Sequence, residues 1–149
     1  MRIRLPYLVA IILLVNVLSA CSKKDEPTPS APAPGQCIHT VDGRVTTGDA
    51  QATSRGIDLD ITITSFPNGW RETVYMTYYK PNSAPNYMLV KLARAVAKTN
   101  EYFDYTDNLS GSITVIGSDR YSGTFAGTAP ATPTRASSAI TAGAFTEAK

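Results

Sequence analysis

The octet Ile57-Asp58-Leu59-Asp60-Ile61-Thr62-Ile63-Thr64 constrains the fold of this chain more than any other segment. Four aliphatic residues alternate with four polar ones. An extended strand puts all the aliphatics on one face, whereas a helix would scatter them around its circumference. A half-apolar strand must bury that face against something, so the pattern predicts a sheet with one side turned to a core. Upstream, residues 37–41 and 44–47 flank Asp42-Gly43, a pair suited to a type I′ hairpin in which both central residues need positive φ. Downstream, Pro67-Asn68-Gly69 marks a turn into residues 72–79, ETVYMTYY, which are rich in strand formers.

The same rhythm continues. Residues 101–105, 112–116, 121–128 and 137–146 read as short strands, separated by residues 108–111, by Gly117-Ser118-Asp119 and by the proline-containing loop 130–134. Residues 87–98, YMLVKLARAVAK, are ambiguous: Met88, Leu92 and Val96 recur every four residues, yet the first half suits a buried strand. A strand followed by a turn is the preferred reading. About eight short strands with frequent turn signals predict an all-β fold, a single antiparallel β-sandwich or flattened β-barrel.

The N-terminal region has a different character. Arg2 and Arg4 precede 16 uncharged residues, 5–20. As a helix that run would span about 24 Å, short of a hydrocarbon core of about 30 Å, so it reads as a signal peptide. It ends in Leu18-Ser19-Ala20-Cys21, which resembles the lipobox of bacterial lipoproteins. The resemblance implies diacylglycerol on the Cys21 thiol, cleavage before Cys21 and acylation of the new amino group. Two or three acyl chains hold stably where one holds marginally. Residues 22–35, SKKDEPTPSAPAPG, carry four prolines and no large apolar side chain, and read as a flexible tether of about 40 Å as PPII. The expected layout is therefore a leader over 1–20, a lipidated cysteine and tether over 21–35, and an all-β domain over 36–149.

Lys23-Lys24-Asp25-Glu26 resembles the export signal of surface-exposed lipoproteins of Bacteroidota. The order of Thr40-Val41-Asp42-Gly43, the alternating strand, residues 110–115 (SGSITV), residues 121–128 (YSGTFAGT) and residues 140–145 (ITAGAF) is similar to small all-β lipoproteins of that phylum. That resemblance implies the architecture and an outer-membrane, lipid-anchored location at the cell surface, with a periplasm-facing orientation as the alternative. It assigns no activity. Gly123, Gly127 and Gly143 suit bulges or close backbone approach, and Phe125 and Phe145 suit core positions.

Charge narrows the partners. The net charge of +2 disappears with Arg2 and Arg4, leaving 12 basic against 12 acidic residues from Cys21 onward. A neutral mature chain has no basic footprint for nucleic acid.

Catalytic candidates are thin. Asp58 and Asp60 share a strand face about 7 Å apart, a spacing that suits a glycosidase pair and equally a solvated strand. Cys37 and His39 point the same way from one strand and form a legitimate thiolate and imidazole metal pair, but His39 is the one histidine and Cys37 the one unlipidated cysteine. Burial of Cys37 with a satisfied or exposed His39 is the expected alternative. No G-x-S-x-G elbow accompanies them. Asp104, Asp107 and Asn108 miss the spacing of a calcium loop. The expectation is a non-enzymatic protein without metal or cofactor. Eight tyrosines and one tryptophan make aromatic binding the leading alternative, with Trp70, Tyr75, Tyr79, Tyr102 and Tyr121 as a stacking face for a glycan or an envelope protein. The competing expectation is a structural or assembly component of an envelope complex.

Overall fold

The computed structural model describes residues 30–149; the leader, Cys21 and the tether up to residue 29 lie outside the described residues. Nine strands follow in order: β1 (Gln36–Val41), β2 (Arg44–Arg55), β3 (Asp58–Ser65), β4 (Glu72–Tyr79), β5 (Met88–Val96), β6 (Glu101–Asp104), β7 (Asp107–Ile116), β8 (Arg120–Ala129) and β9 (Ser138–Ala148). They form one antiparallel sheet in the order β6-β5-β4-β3-β2-β1-β9-β8-β7.

That order dictates the shape. β6 and β7 are the two edges of the sheet, yet only Tyr105 and Thr106 connect them. A flat sheet of nine strands would be about 38 Å wide, and three Cα steps reach at most about 11 Å. The sheet must therefore curl so that its two edge strands approach without pairing, and it is a half-barrel. Of the two expected architectures this is the barrel-like one, because a single ladder runs without a break and no second sheet exists among the described residues. The Tyr105 amide donates to the Leu92 carbonyl at 2.9 Å, stitching the edge link to β5. Inside the curl, the Tyr78 hydroxyl crosses from β4 to donate to the Thr124 carbonyl of β8 at 2.7 Å.

The octet behaves as its alternation predicts over β3, where Leu59, Ile61 and Ile63 are fully buried. Burial of each contributes roughly 1.5–3 kcal/mol. Ile57 falls outside the strand in the turn at Gly56 and is half-exposed. Asp42 and Gly43 have φ of 49° and 80°, the left-handed pair expected of the hairpin. Residues 87–98 resolve as strand β5 and a turn. Phe125 and Phe145 fill the interior. Gly143 lies so close to the Phe125 ring that a Cβ there would sit 2.5 Å from it.

Two expectations change. Residues 108–111 are not a separator but part of β7, with a register shift between Asp107 and Ser110 that absorbs the irregular geometry. β2 runs eight residues beyond the expected Thr47, because its polar second half pairs in register with β3 from Asp49 to Arg55. The compact unit begins at Ala31, with Pro32 buried and the Gly35 amide donating to Thr146 at 2.7 Å.

Candidate functional site

The outward face of β4 carries Thr73, Tyr75, Thr77 and Tyr79, since Val74, Met76 and Tyr78 point inward and are buried. On β5, the residues opposite Thr73 and Tyr75 are Ala95 and Ala93. On β6, the residue opposite Ala95 is Tyr102. Two half-exposed tyrosines, at 42% for Tyr75 and 51% for Tyr102, therefore stand on either side of β5, where the side chains opposite Tyr75 and Tyr102 are the methyl groups of Ala93 and Ala95. They are about 10 Å apart across β5 and offset by two residues along it.

Two adjoining depressions share Tyr75, Ala95 and Tyr102 and so form one groove across the outer face. The larger, about 580 Å³, is lined further by Arg55, Asp60, Thr77 and Lys91. The smaller, about 340 Å³, adds Arg71, Asn100 and Glu101. Asp60 is held in place: one oxygen accepts from the Thr77 hydroxyl at 2.8 Å and the other meets Arg55 Nε at 3.2 Å. Asp58 does not line this groove, so the two carboxylates share no cleft here. Edge strand β6 is fastened by the β8–β9 loop. Arg135 donates to the Tyr102 carbonyl, and its guanidinium stacks on Phe103 at 4.2 Å from the ring centre. Arg94 stacks on the same ring, also at 4.2 Å.

The five aromatics singled out in the sequence separate. Tyr75 and Tyr102 meet in the groove. Tyr79 shares their sheet face but lies four residues further along β4. Trp70 is exposed in the turn between β3 and β4. Tyr121 is a correction: it is buried in the core, because it opens β8 on the same face as Phe125.

A second polar cluster lies inside the barrel. Arg94, 5% exposed, donates through Nε to the Tyr105 hydroxyl at 3.0 Å, and its terminal nitrogens meet Glu72 at 3.3 Å and the Ser138 hydroxyl at 3.2 Å. Arg44 closes over Glu72 at 2.9 Å. Ser138 in turn donates to Asp42 at 2.9 Å. Period-two reading could have found the two central charges, since Glu72 and Arg94 share the inward face with Val74, Met76 and Leu92.

Cys37 and His39 adjoin this cluster, both fully buried, with the thiol sulfur 3.7 Å from His39 Nδ1. Burial pushes the thiol up to about 12, against a smaller opposing effect of a backbone hydrogen bond at Ala144. Burial also pulls His39 down to about 4, with Glu72 acting against it and Arg94 and Arg44 acting with it. The expected satisfied or exposed histidine is neither: Nε2 has no hydrogen-bond partner and stands 4.0 Å from the equally unpartnered Glu72 Oε1. A thiol held neutral and away from solvent is no nucleophile. Asp104 and Asp107 flank buried Tyr105 rather than a shared loop centre. Among the described residues no group of three or more His, Cys, Asp or Glu side chains is arranged to hold a metal ion.

Comparison with protein-family models, curated proteins and solved structures gives no match for this chain.

Proposed function

We propose that the protein is a lipid-anchored envelope protein, held to the outer membrane through Cys21 and displayed at the cell surface, whose β domain is a non-enzymatic binding module for glycan. The observation that carries the glycan reading is the groove in which Tyr75 and Tyr102 flank Ala95. Sugar rings present apolar C–H faces that stack on aromatic rings, and hydroxyl groups that need donors and acceptors at the rim. Arg55, Asp60, Thr77, Lys91, Asn100 and Arg71 supply that rim. The offset of the two tyrosines along β5 suits successive units of an extended chain better than one ring held between them. The anchor rests on the lipobox and the neutral, proline-rich segment after it.

The test is calorimetric binding of the full chain to oligosaccharides from the bacterium's own envelope and surroundings. Tyr75→Ala and Tyr102→Ala are each expected to weaken binding by about five- to tenfold with little change in melting temperature, since both rings are half-exposed. Trp70→Ala, away from the groove, is expected to bind as the parent does. Equal binding by all three variants would move the function to another surface, and recovery of a stoichiometric membrane complex without glycan binding would favour an assembly component.

A further inference from the structure

Three buried polar atoms without a hydrogen-bond partner belong to neighbouring side chains: His39 Nε2, Thr46 Oγ1 and Glu72 Oε1. His39 and Thr46 are opposite each other in the β1–β2 ladder and both are buried, so their side chains leave the sheet on its inner face with Cβ atoms about 5 Å apart. Glu72 reaches in from the start of β4, and its Oε1 stands 4.0 Å from His39 Nε2. Three strands thus bring three unpaired polar atoms to one place. Buried groups of this kind are normally paired, because each that is not forfeits its hydration for nothing.

Neither His39 nor Glu72 is free to close the gap between them. The imidazole is held at its other nitrogen, where Nδ1 lies 3.7 Å from the Cys37 sulfur, and its ring packs against Phe125 with centroids 6.1 Å apart. Glu72 is held by its other oxygen, which accepts from Arg44 at 2.9 Å and from Arg94 at 3.3 Å. A separation of 4.0 Å is too long for a direct hydrogen bond. It suits a bent bridge, since an oxygen about 2.8 Å from each atom subtends roughly a right angle.

The surrounding charges select the occupant. Two guanidinium groups beside Glu72 oppose a cation, and the lone pairs of Oε1 oppose an anion. What fits is a small neutral molecule that both donates and accepts. It serves either tautomer of His39, accepting from a protonated Nε2 or donating to a bare one. It donates to Glu72 Oε1, and the Thr46 hydroxyl, itself donor and acceptor, completes three contacts, the usual number for a buried water. Thr46 supplies the path as well, because it lines an open depression of about 390 Å³ with Val45, Thr47, Phe66 and Pro67. We propose that His39, Thr46 and Glu72 form an internal site for one ordered water molecule, which joins the Cys37–His39 pair of β1 to the Arg94 cluster.

Thr46→Val is the informative variant, since it keeps the shape of the side chain and removes the hydroxyl. If Oγ1 binds water, the variant should melt lower than the parent; if Oγ1 is truly unpaired, losing it should leave the melting temperature unchanged or raise it. The full chain is examined at pH 7 by NMR for Overhauser contacts between a long-lived water and both the His39 ring and the Thr46 methyl group. The expected result is both contacts in the parent, at least a twofold loss of the His39 contact in Thr46→Val, and its retention in Thr46→Ser. A crystal structure fine enough to place solvent should show one oxygen about 2.6–3.2 Å from all three atoms. Direct bonding of Nε2 to Oε1 with no solvent oxygen between them would overturn the proposal. So would a Thr46→Val protein that keeps both the His39 contact and the parent's melting temperature.

Discussion

His39 shows how one residue ties the core to pH. Its imidazole titrates near 6.5 when unfolded and near 4 in the barrel, chiefly because burial opposes the charged form. Between those values the unfolded chain binds a proton that the folded chain does not. Stability is thus complete above about pH 6.5 and is lost as pH falls toward 4, by about 3 kcal/mol if no other group compensates. Urea unfolding at pH 7 and pH 4.5 should show this drop, and an NMR titration of the ring should give a midpoint well below 6; a midpoint near 6.5 would contradict it. Cys37 makes the complementary prediction. Buried and neutral, it should resist a thiol reagent in the native protein and react once the chain is unfolded in denaturant. The burial of Cys37 is legible from its place in the alternation, but the orphaned Nε2 of His39 is not. It depends on Glu72 arriving from the start of β4, a partner 33 positions away in the chain. Arg94→Met should cost about 3–5 kcal/mol in denaturant titration, because it leaves Glu72 buried with only Arg44 to balance it.

At the scale of strands, what the sequence discloses depends on whether a strand is half-apolar. β3 is read almost to the residue, since Leu59, Ile61 and Ile63 can satisfy only one face. The second half of β2, with Gln51, Thr53 and Ser54, offers no such pattern and is a strand only because β3 lies beside it. The groove follows the same rule. Tyr75 and Tyr102 are visible as aromatics, but their placement on either side of Ala95 requires the β4-β5-β6 pairing, which no local signal supplies. Tyr121, with the same composition signal, is a core residue for the equally non-local reason that β8 faces the interior of the curl. Glycine usage is more readable. Gly143→Ala places a methyl group 2.5 Å from the Phe125 ring and should destabilise by about 1–3 kcal/mol, measured as a shift in the urea midpoint without a change in slope.

For the molecule as a whole, the ladder between β1 and β9 carries the greatest span of sequence, pairing Cys37 with Phe145. Without β9 the sheet is split into β1–β6 and the β7–β8 hairpin, each with an apolar face open. Removal of residues 138–149 should therefore abolish cooperative unfolding, as followed by circular dichroism, rather than merely lower the midpoint. Refolding of the full domain should be slow for its size, in the range of milliseconds to seconds by stopped flow, since closing the curl depends on distant pairs. The same closure brings the two ends of the domain together. The Ala50 amide donates to Gly35 and the Ala52 amide to Lys149, so the entry to β1 and the last residue sit two residues apart along one strand. In engineering terms the domain is nearly a ring: a short linker from Lys149 to Ala31 would close it, and new ends could be cut in the exposed turn at Asn82-Ser83.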